Sequence, residues 1–111
     1  MAVTNYKVLA QNSPSATTNT DIYTVPVPAT TSAVVSTLAV CNRGVSATFR
    51  VAIRPANEAL SNKHYIVYDN YVEQYDSLFL TLGITLAATD VVTVYSSTAN
   101  LSFSLFGSEI V

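Results

Sequence analysis

The stretch ATFRVAIR (Ala47–Arg54) decides how this chain is read. Ala47, Phe49, Val51 and Ile53 share one side of a two-residue repeat; Thr48, Arg50, Ala52 and Arg54 share the other. That alternation describes a strand with one buried and one wetter face. The same period continues outward. In NLSFSLF, Leu101, Phe103 and Leu105 alternate with Ser102, Ser104 and Phe106; in SLFLTL, Leu78, Leu80 and Leu82 alternate with Phe79 and Thr81. AVVSTLAVCN and VVTVYSS are rich in β-branched residues, which suit a pleated sheet. Between the runs lie SPSATTNTD, PVPATTS, NRGVS, RPANEALSN, GITLAATD and SSTAN, which carry turn residues at sandwich spacing. Pro26 and Pro28 cannot donate ladder bonds, so the second strand should leave its sheet there. Gly44 can turn the chain after Asn42 and Arg43. The pattern predicts strands near residues 6–10, 21–26, 33–42, 47–54, 64–69, 77–82, 91–96 and 101–107. The expected fold is all-β, a single antiparallel β-sandwich of the jelly-roll or Ig-like kind. Residues 1–20 form an N-terminal arm or a first strand, and 21–111 form the sandwich. Only NEALSNK could hold a helical turn.

Composition narrows the function. The chain has 111 residues, half of them hydrophobic and only 11% charged, against about 25% in ordinary globular chains. A surface so poor in charge fits one largely covered by other subunits, although abundant Ser and Thr could also keep it wet. Lys7, Arg43, Arg50, Arg54 and Lys63 are scattered and the net charge is −2, so no phosphate-tracking stripe points to nucleic acid. The single Cys41 allows no internal disulfide and no four-thiolate zinc site. No apolar run reaches the roughly 18 residues of a membrane span. The opening MAVTNYKVLAQ reads as the mature start of a protein made in a cytoplasm.

The stretch HYIVYDNYVEQYD (His64–Asp76) gathers four of the seven tyrosines, the one histidine and three carboxylates. Its spacing reads as a strand from Lys63 to Tyr68, an Asp69-Asn70 break, and a loop presenting Tyr71 and Tyr75. A helical face through Tyr65, Tyr68, Val72 and Tyr75 is the weaker reading, because β-branched and aromatic residues dominate. His64 with Asp69, Glu73 and Asp76 lacks the converging ligand set of a zinc site, and its carboxylates sit where turns want Asp. Cys41 lies in an apolar strand run, where a thiol behaves as a small hydrophobe. No nucleophile elbow and no glycine-rich phosphate loop is present. No cofactor or metal is therefore expected, and enzymatic activity has no motif behind it. Candidate interface residues are Tyr71, Tyr75, Arg50, Arg54 and Tyr6. Tyrosine and arginine are both enriched where proteins meet.

The succession TNTDIYTVP, SAVVSTLAVCNRG, ATFRVAIRPA, LSNKHYIVYD and LTLGITLAATDVVTVYSSTANLSFSLFGSEI resembles a family of small tailed-bacteriophage virion proteins. Its members share a DxYTVP segment, a VCNRG-like turn, a strand ending RPA and a closing ANLSFSLFGSEI-like strand. The likeness runs from about Tyr6 to the end, and YVEQY is more aromatic than the family pattern. It implies a non-enzymatic, multi-copy virion component made in the host cytoplasm. Two placements fit, a capsid decoration or cement protein and a neck, tail or baseplate-fibre attachment protein. The partners would be other phage structural proteins, with homo-oligomers in the particle and neither nucleic acid nor membrane bound. The alternative is a carbohydrate-binding adhesin, since exposed tyrosines and turn carboxylates can stack on and hydrogen-bond to sugars.

Overall fold

Strand pairing obeys one rule: the first strand pairs with the last, the second with the next to last, and so on inward. In the computed structural model, which describes residues 3–111, the strands are β1 (Thr4–Asn12), β2 (Thr20–Thr24), β3 (Ser32–Asn42), β4 (Ala47–Arg54), β5 (Tyr65–Val72), β6 (Ser77–Ala87), β7 (Val91–Ser96) and β8 (Leu101–Ile110). β1 pairs with β8, β2 with β7, β3 with β6 and β4 with β5, all antiparallel. This long double ribbon wraps on itself, adding the pairs β3–β8 and β4–β7. Two four-stranded sheets result, ordered β1-β8-β3-β6 and β2-β7-β4-β5. That is jelly-roll topology, which decides between the two sandwich types expected from the sequence.

The core is the inner face of both sheets, and it is filled largely as the alternation predicts, except that Ala52, expected on the wetter face of β4, is buried and Ile53 only partly so. Ala47, Phe49 and Val51 of β4 are buried, as are Leu101, Phe103 and Leu105 of β8. Phe49 and Phe103 meet across the sheets edge to face, with ring centroids 5.9 Å apart. Burying each ring stabilises the fold by about 1.5–3 kcal/mol, and the edge contact adds roughly 0.5–1.5.

Several elements differ from the sequence reading. GITLAATD is not all turn: β6 runs through Gly83 as far as Ala87. Two residues of β6, Leu82 and Gly83, oppose Ser36 of β3 there, and Gly83 takes a φ of 63°. This is a β-bulge with glycine at its left-handed position, and it lets a strand continue where a turn was expected. Ser36 is itself the extra residue of β3 against β8, and Leu9 that of β1. All three irregularities flank the row Val8–Phe106–Thr37–Thr81, so the sheet is creased at one level. Beside the crease a side chain at Gly107 would drive into the Val34 carbonyl, so the strands approach too closely for anything larger. Within residues 1–20, Thr4–Asn12 is an edge strand on β8. Val3 extends the β1–β8 ladder by exchanging two backbone hydrogen bonds with Val111.

The expected loop after Tyr68 is also strand. β5 continues to Val72, because Tyr68 and Asp69 make a bulge against Arg50 and Asn70 resumes the register opposite Phe49. Tyr71 is therefore a strand residue in register with Thr48, and only Tyr75 lies in a turn. His64 belongs to a short 3₁₀ turn (Asn62–His64) ahead of the strand instead of to its face. Cys41, expected inside an apolar strand, sits on the outer face of β3 and is exposed. The NRGVS turn is held by buried Asn42. Its side-chain amide donates to the carbonyls of Val45, Val72 and Glu73, and its oxygen accepts from the Gly44 amide.

Candidate functional site

A sandwich offers partners its two outer faces, and here they have opposite chemistry. On the outside of β2-β7-β4-β5, the bulge in β5 sets two residues, Tyr68 and Asp69, against a single residue of β4, Arg50. The Arg50 Nε donates to the Asp69 carboxylate at 2.6 Å. Its guanidinium lies 4.2 Å from the Tyr68 ring centre and 4.3 Å from that of Tyr95, its cross-strand neighbour on β7. Tyr65 packs edge-on against Tyr68, with centroids 4.9 Å apart. The carboxylate raises the already high Arg50 pKa, so the stacked group is permanently a cation.

A second network occupies the same face. Arg54 bridges to Asp21 at 2.8 Å and donates to the Thr93 hydroxyl at 3.0 Å and to the Glu58 carbonyl at 2.8 Å. The Thr93 hydroxyl in turn donates to Asp21 at 2.7 Å. Arg54 is thus fully engaged by its own chain, linking β2, β7 and β4. Every charged residue in these four strands belongs to one of the two pairs, Arg50–Asp69 and Arg54–Asp21.

No strand of β1-β8-β3-β6 presents a charged side chain outward; the one guanidinium at the end of this face is that of Arg43, just past β3, which donates to the Ser102 hydroxyl at 2.9 Å. Its rows run Tyr6–Ser108–Val34–Thr85, then Val8–Phe106–Thr37–Thr81, then Gln11–Ser104–Ala39–Phe79. The four strands contain two charged residues, Lys7 and Glu109, and both face inward. Lys7 is in register with Gly107 and Val35, and Glu109 with buried Ala33. Glu109 accepts from Lys7 Nζ at 3.0 Å and, across the sandwich, from the Tyr23 hydroxyl of β2 at 2.5 Å. These two bonds hold the Glu109 carboxyl below the usual carboxylate range, the tyrosine contributing most. Burial first and the carboxylate second push the Tyr23 hydroxyl up. Large apolar groups stand free on both edge strands: Tyr6 is 86% exposed on β1 and Phe79 73% exposed on β6.

The structure therefore splits the candidate residues. Arg50, Arg54 and Tyr71 share one outer face, Tyr6 lies on the other, and Tyr75 stands 73% exposed in the β5–β6 turn. Sequence reasoning missed Tyr68, Tyr95 and Asp69 as partners of Arg50. The signal was an Asp-Asn pair inside an otherwise unbroken alternation, which a bulge explains as well as a turn does. His64 is a loop clamp: its Nδ1 accepts from the Ser61 amide at 3.1 Å, which leaves Nε2 to donate to Glu58 at 3.2 Å. That bond and nearby Lys63 lower the Glu58 pKa. Among the described residues, no group of three or more His, Cys, Asp or Glu is placed to hold a metal ion. No helix among them is long and apolar enough to cross a membrane.

No family model matches the sequence, and no curated protein matches it. Solved structures do match in fold. A chain of infectious bursal disease virus, Gx strain, superposes on 99% of this chain with a TM-score of 0.58 at 11% identity. A chain of the T13 particle of that virus does so with a TM-score of 0.57 at 12% identity, again over 99%. This chain spans about a third of either viral chain, 32% and 30%. A subunit of the disulfide-linked pili called Bacillus endospore appendages matches over 98% of this chain and 85% of its own, with a TM-score of 0.54 at 16% identity. The likeness is one of fold: this jelly roll is shared with proteins of viral particles and of a pilus.

Proposed function

We propose that the chain is a non-enzymatic structural subunit of a virion, present in many copies, and that the virion is that of a tailed bacteriophage. The observation that carries this reading is the pair of outer faces. The chain builds a stable jelly roll, yet on one whole face no strand presents a charge outward, and Tyr6, Val8 and Phe79 stand exposed. The fold neighbours support it, since they come from a viral particle and from pili. The phage assignment rests on the sequence resemblance. Head decoration or cement, and neck, tail or baseplate-fibre attachment, are the two placements it allows.

Tyr71 and Tyr75, at the end of β5 and in the turn after it, form the proposed docking point for another particle protein. Arg50 stiffens the same face and Tyr6 serves the opposite one. The ring faces of Tyr68 and Tyr95 are taken by Arg50, which leaves less aromatic surface for stacking a sugar. Quantitative mass spectrometry of purified particles, with the major shell protein as internal standard, tests the reading. Abundance in proportion to shell subunits indicates the head, and a small symmetric number indicates the tail. Absence of the chain from particles would refute the assignment, and specific binding on a glycan array by the isolated protein would favour the adhesin.

A further inference from the structure

We infer that the outer face of β1-β8-β3-β6, whose strands present no charge outward, is the surface through which two copies of this chain pack, face to face. The inference deepens the assembly reading and rests on it. Its first ground is charge. A surface exposed to water ordinarily carries charge at roughly a quarter to a third of its positions. Here no outward position on four strands does, although the opposite sheet carries four charged side chains outward. Covering the strands strips water from no strand ion, and Arg43 at the rim is already bonded to Ser102, Ser13 and the Ala99 carbonyl, so association incurs little of the desolvation cost that buried charges impose.

The second ground is self-complementarity. In a two-fold contact the same patch serves both partners, so groups near the axis meet their own kind. A face with charges brings like charges together there. In place of charges this face carries many Ser and Thr hydroxyls, each of which donates and accepts, so no pair of like charges opposes the contact. Turning a facing copy about an axis along the strands lays β1 of one over β6 of the other. Tyr6, Val8 and Gln11 of each copy then lie over Thr85, Thr81 and Phe79 of its partner, closing both sides of the contact.

The third ground is size. Four strands about 4.8 Å apart, each of roughly ten residues rising about 3.3 Å, give a footprint of about 600 Å² per copy. Two copies bury about 1,200 Å², which reaches the lower bound of specific protein interfaces. An interface of that size with few aromatic anchors supports a micromolar dimer rather than a nanomolar one.

Sedimentation equilibrium of the full chain over about 1–100 µM is the test. The expected result is a monomer–dimer equilibrium that barely responds to salt, since no ions meet in the contact. Introducing Thr81→Lys with Phe79→Lys should weaken the dimer at least about tenfold, while Tyr71→Lys on the opposite face leaves it unchanged. Alkylation of Cys41, a native thiol on the same face, should slow as wild-type concentration rises, a readout that needs no variant. A chain that stays monomeric throughout overturns the inference. So does a dimer that ignores the two lysines, or one lost with Tyr71→Lys while Cys41 reacts at a constant rate. A monomer in solution that is still abundant in particles defeats this inference alone. A lysine-sensitive dimer missing from particles defeats the virion reading alone.

Discussion

The two outer faces solve the problem of an uncovered sheet in opposite ways. On β2-β7-β4-β5, each charge finds its counter-charge within the chain, through Arg50–Asp69 and Arg54–Asp21, and two tyrosine rings enclose one guanidinium. On β1-β8-β3-β6, charges are excluded and the one acidic and one basic residue are turned inward to Tyr23. On the first face every charge is answered within the chain, although Tyr68 and Tyr71 stay exposed there. The second leaves apolar groups bare and gains most from being covered. Ionic content alone does not reveal a docking face; what matters is whether the polar groups are already satisfied.

The largest expected effect lies beneath both faces and should not distinguish them. Phe49→Ala and Phe103→Ala each remove one ring of the central edge-to-face pair, and each should cost about 3–5 kcal/mol. Chemical denaturation of both variants checks this; a much smaller loss for one would mean that its sheet packs independently of the core. Next comes Arg54→Ala, which strips Thr93 and Asp21 of their shared partner on the satisfied face. A loss of about 1.5–3 kcal/mol is expected, because hydrogen bonds to charged groups are the strong ones. If urea midpoints do not move, the network is ornament and the contrast between the faces collapses.

Acid provides the third test. Glu109 and Glu58 both have folded pKa values below the ordinary carboxylate value. The unfolded chain therefore binds protons first as pH falls. The stability these groups contribute is fully present above the ordinary value of about 4.3 and is lost as pH drops through the folded values. The melting temperature should be flat from about pH 7 to 5 and fall below about pH 4. Glu109→Gln should lower it at neutral pH and shrink the acid slope; an unchanged slope would show that the Tyr23–Glu109–Lys7 tie is not what acid breaks. The smallest effect on stability is expected for Tyr71→Ala with Tyr75→Ala. These exposed rings should leave the isolated domain within about 0.5–1 kcal/mol while weakening incorporation into particles. A large drop in thermal stability, with incorporation reduced only in proportion, would make them core residues.

Much of this was legible from period two. β4 and the buried residues of β8 follow directly from alternation, because a sheet with one dry face leaves no other place for Phe49, Val51, Phe103 or Leu105, while β3 and β7 follow from their β-branched content. What escaped were the bulges. A bulge looks locally like a turn, so Gly83 and Asp69 each read as an end of strand, and β6 and Tyr71 were misplaced accordingly. Cys41 escaped because the bulge at Ser36 shifts which positions of β3 face inward. The contrast between outer faces also needs topology. Tyr6, Thr37, Phe79 and Phe106 come from four separated parts of the chain, and only the wrapped pairing sets them side by side.

The crease across β1-β8-β3-β6 has a consequence for faithful assembly. In a flat sheet whose outward positions repeat Ser and Thr, sliding one strand by two residues keeps every side chain on its proper side and costs little. Such slippage is how chains mispair with themselves and with strangers. Here Leu9 must fall on one side of the Val8–Phe106–Thr37–Thr81 row and Ser36 and Gly83 on the other. A slid strand brings its bulge against a regular stretch and loses ladder bonds on both sides. The crease works as a registration mark, telling four chemically similar strands where they belong. Where identical chains fold side by side, as the proposed role requires, the same mark denies a neighbour's straight strand a matching edge.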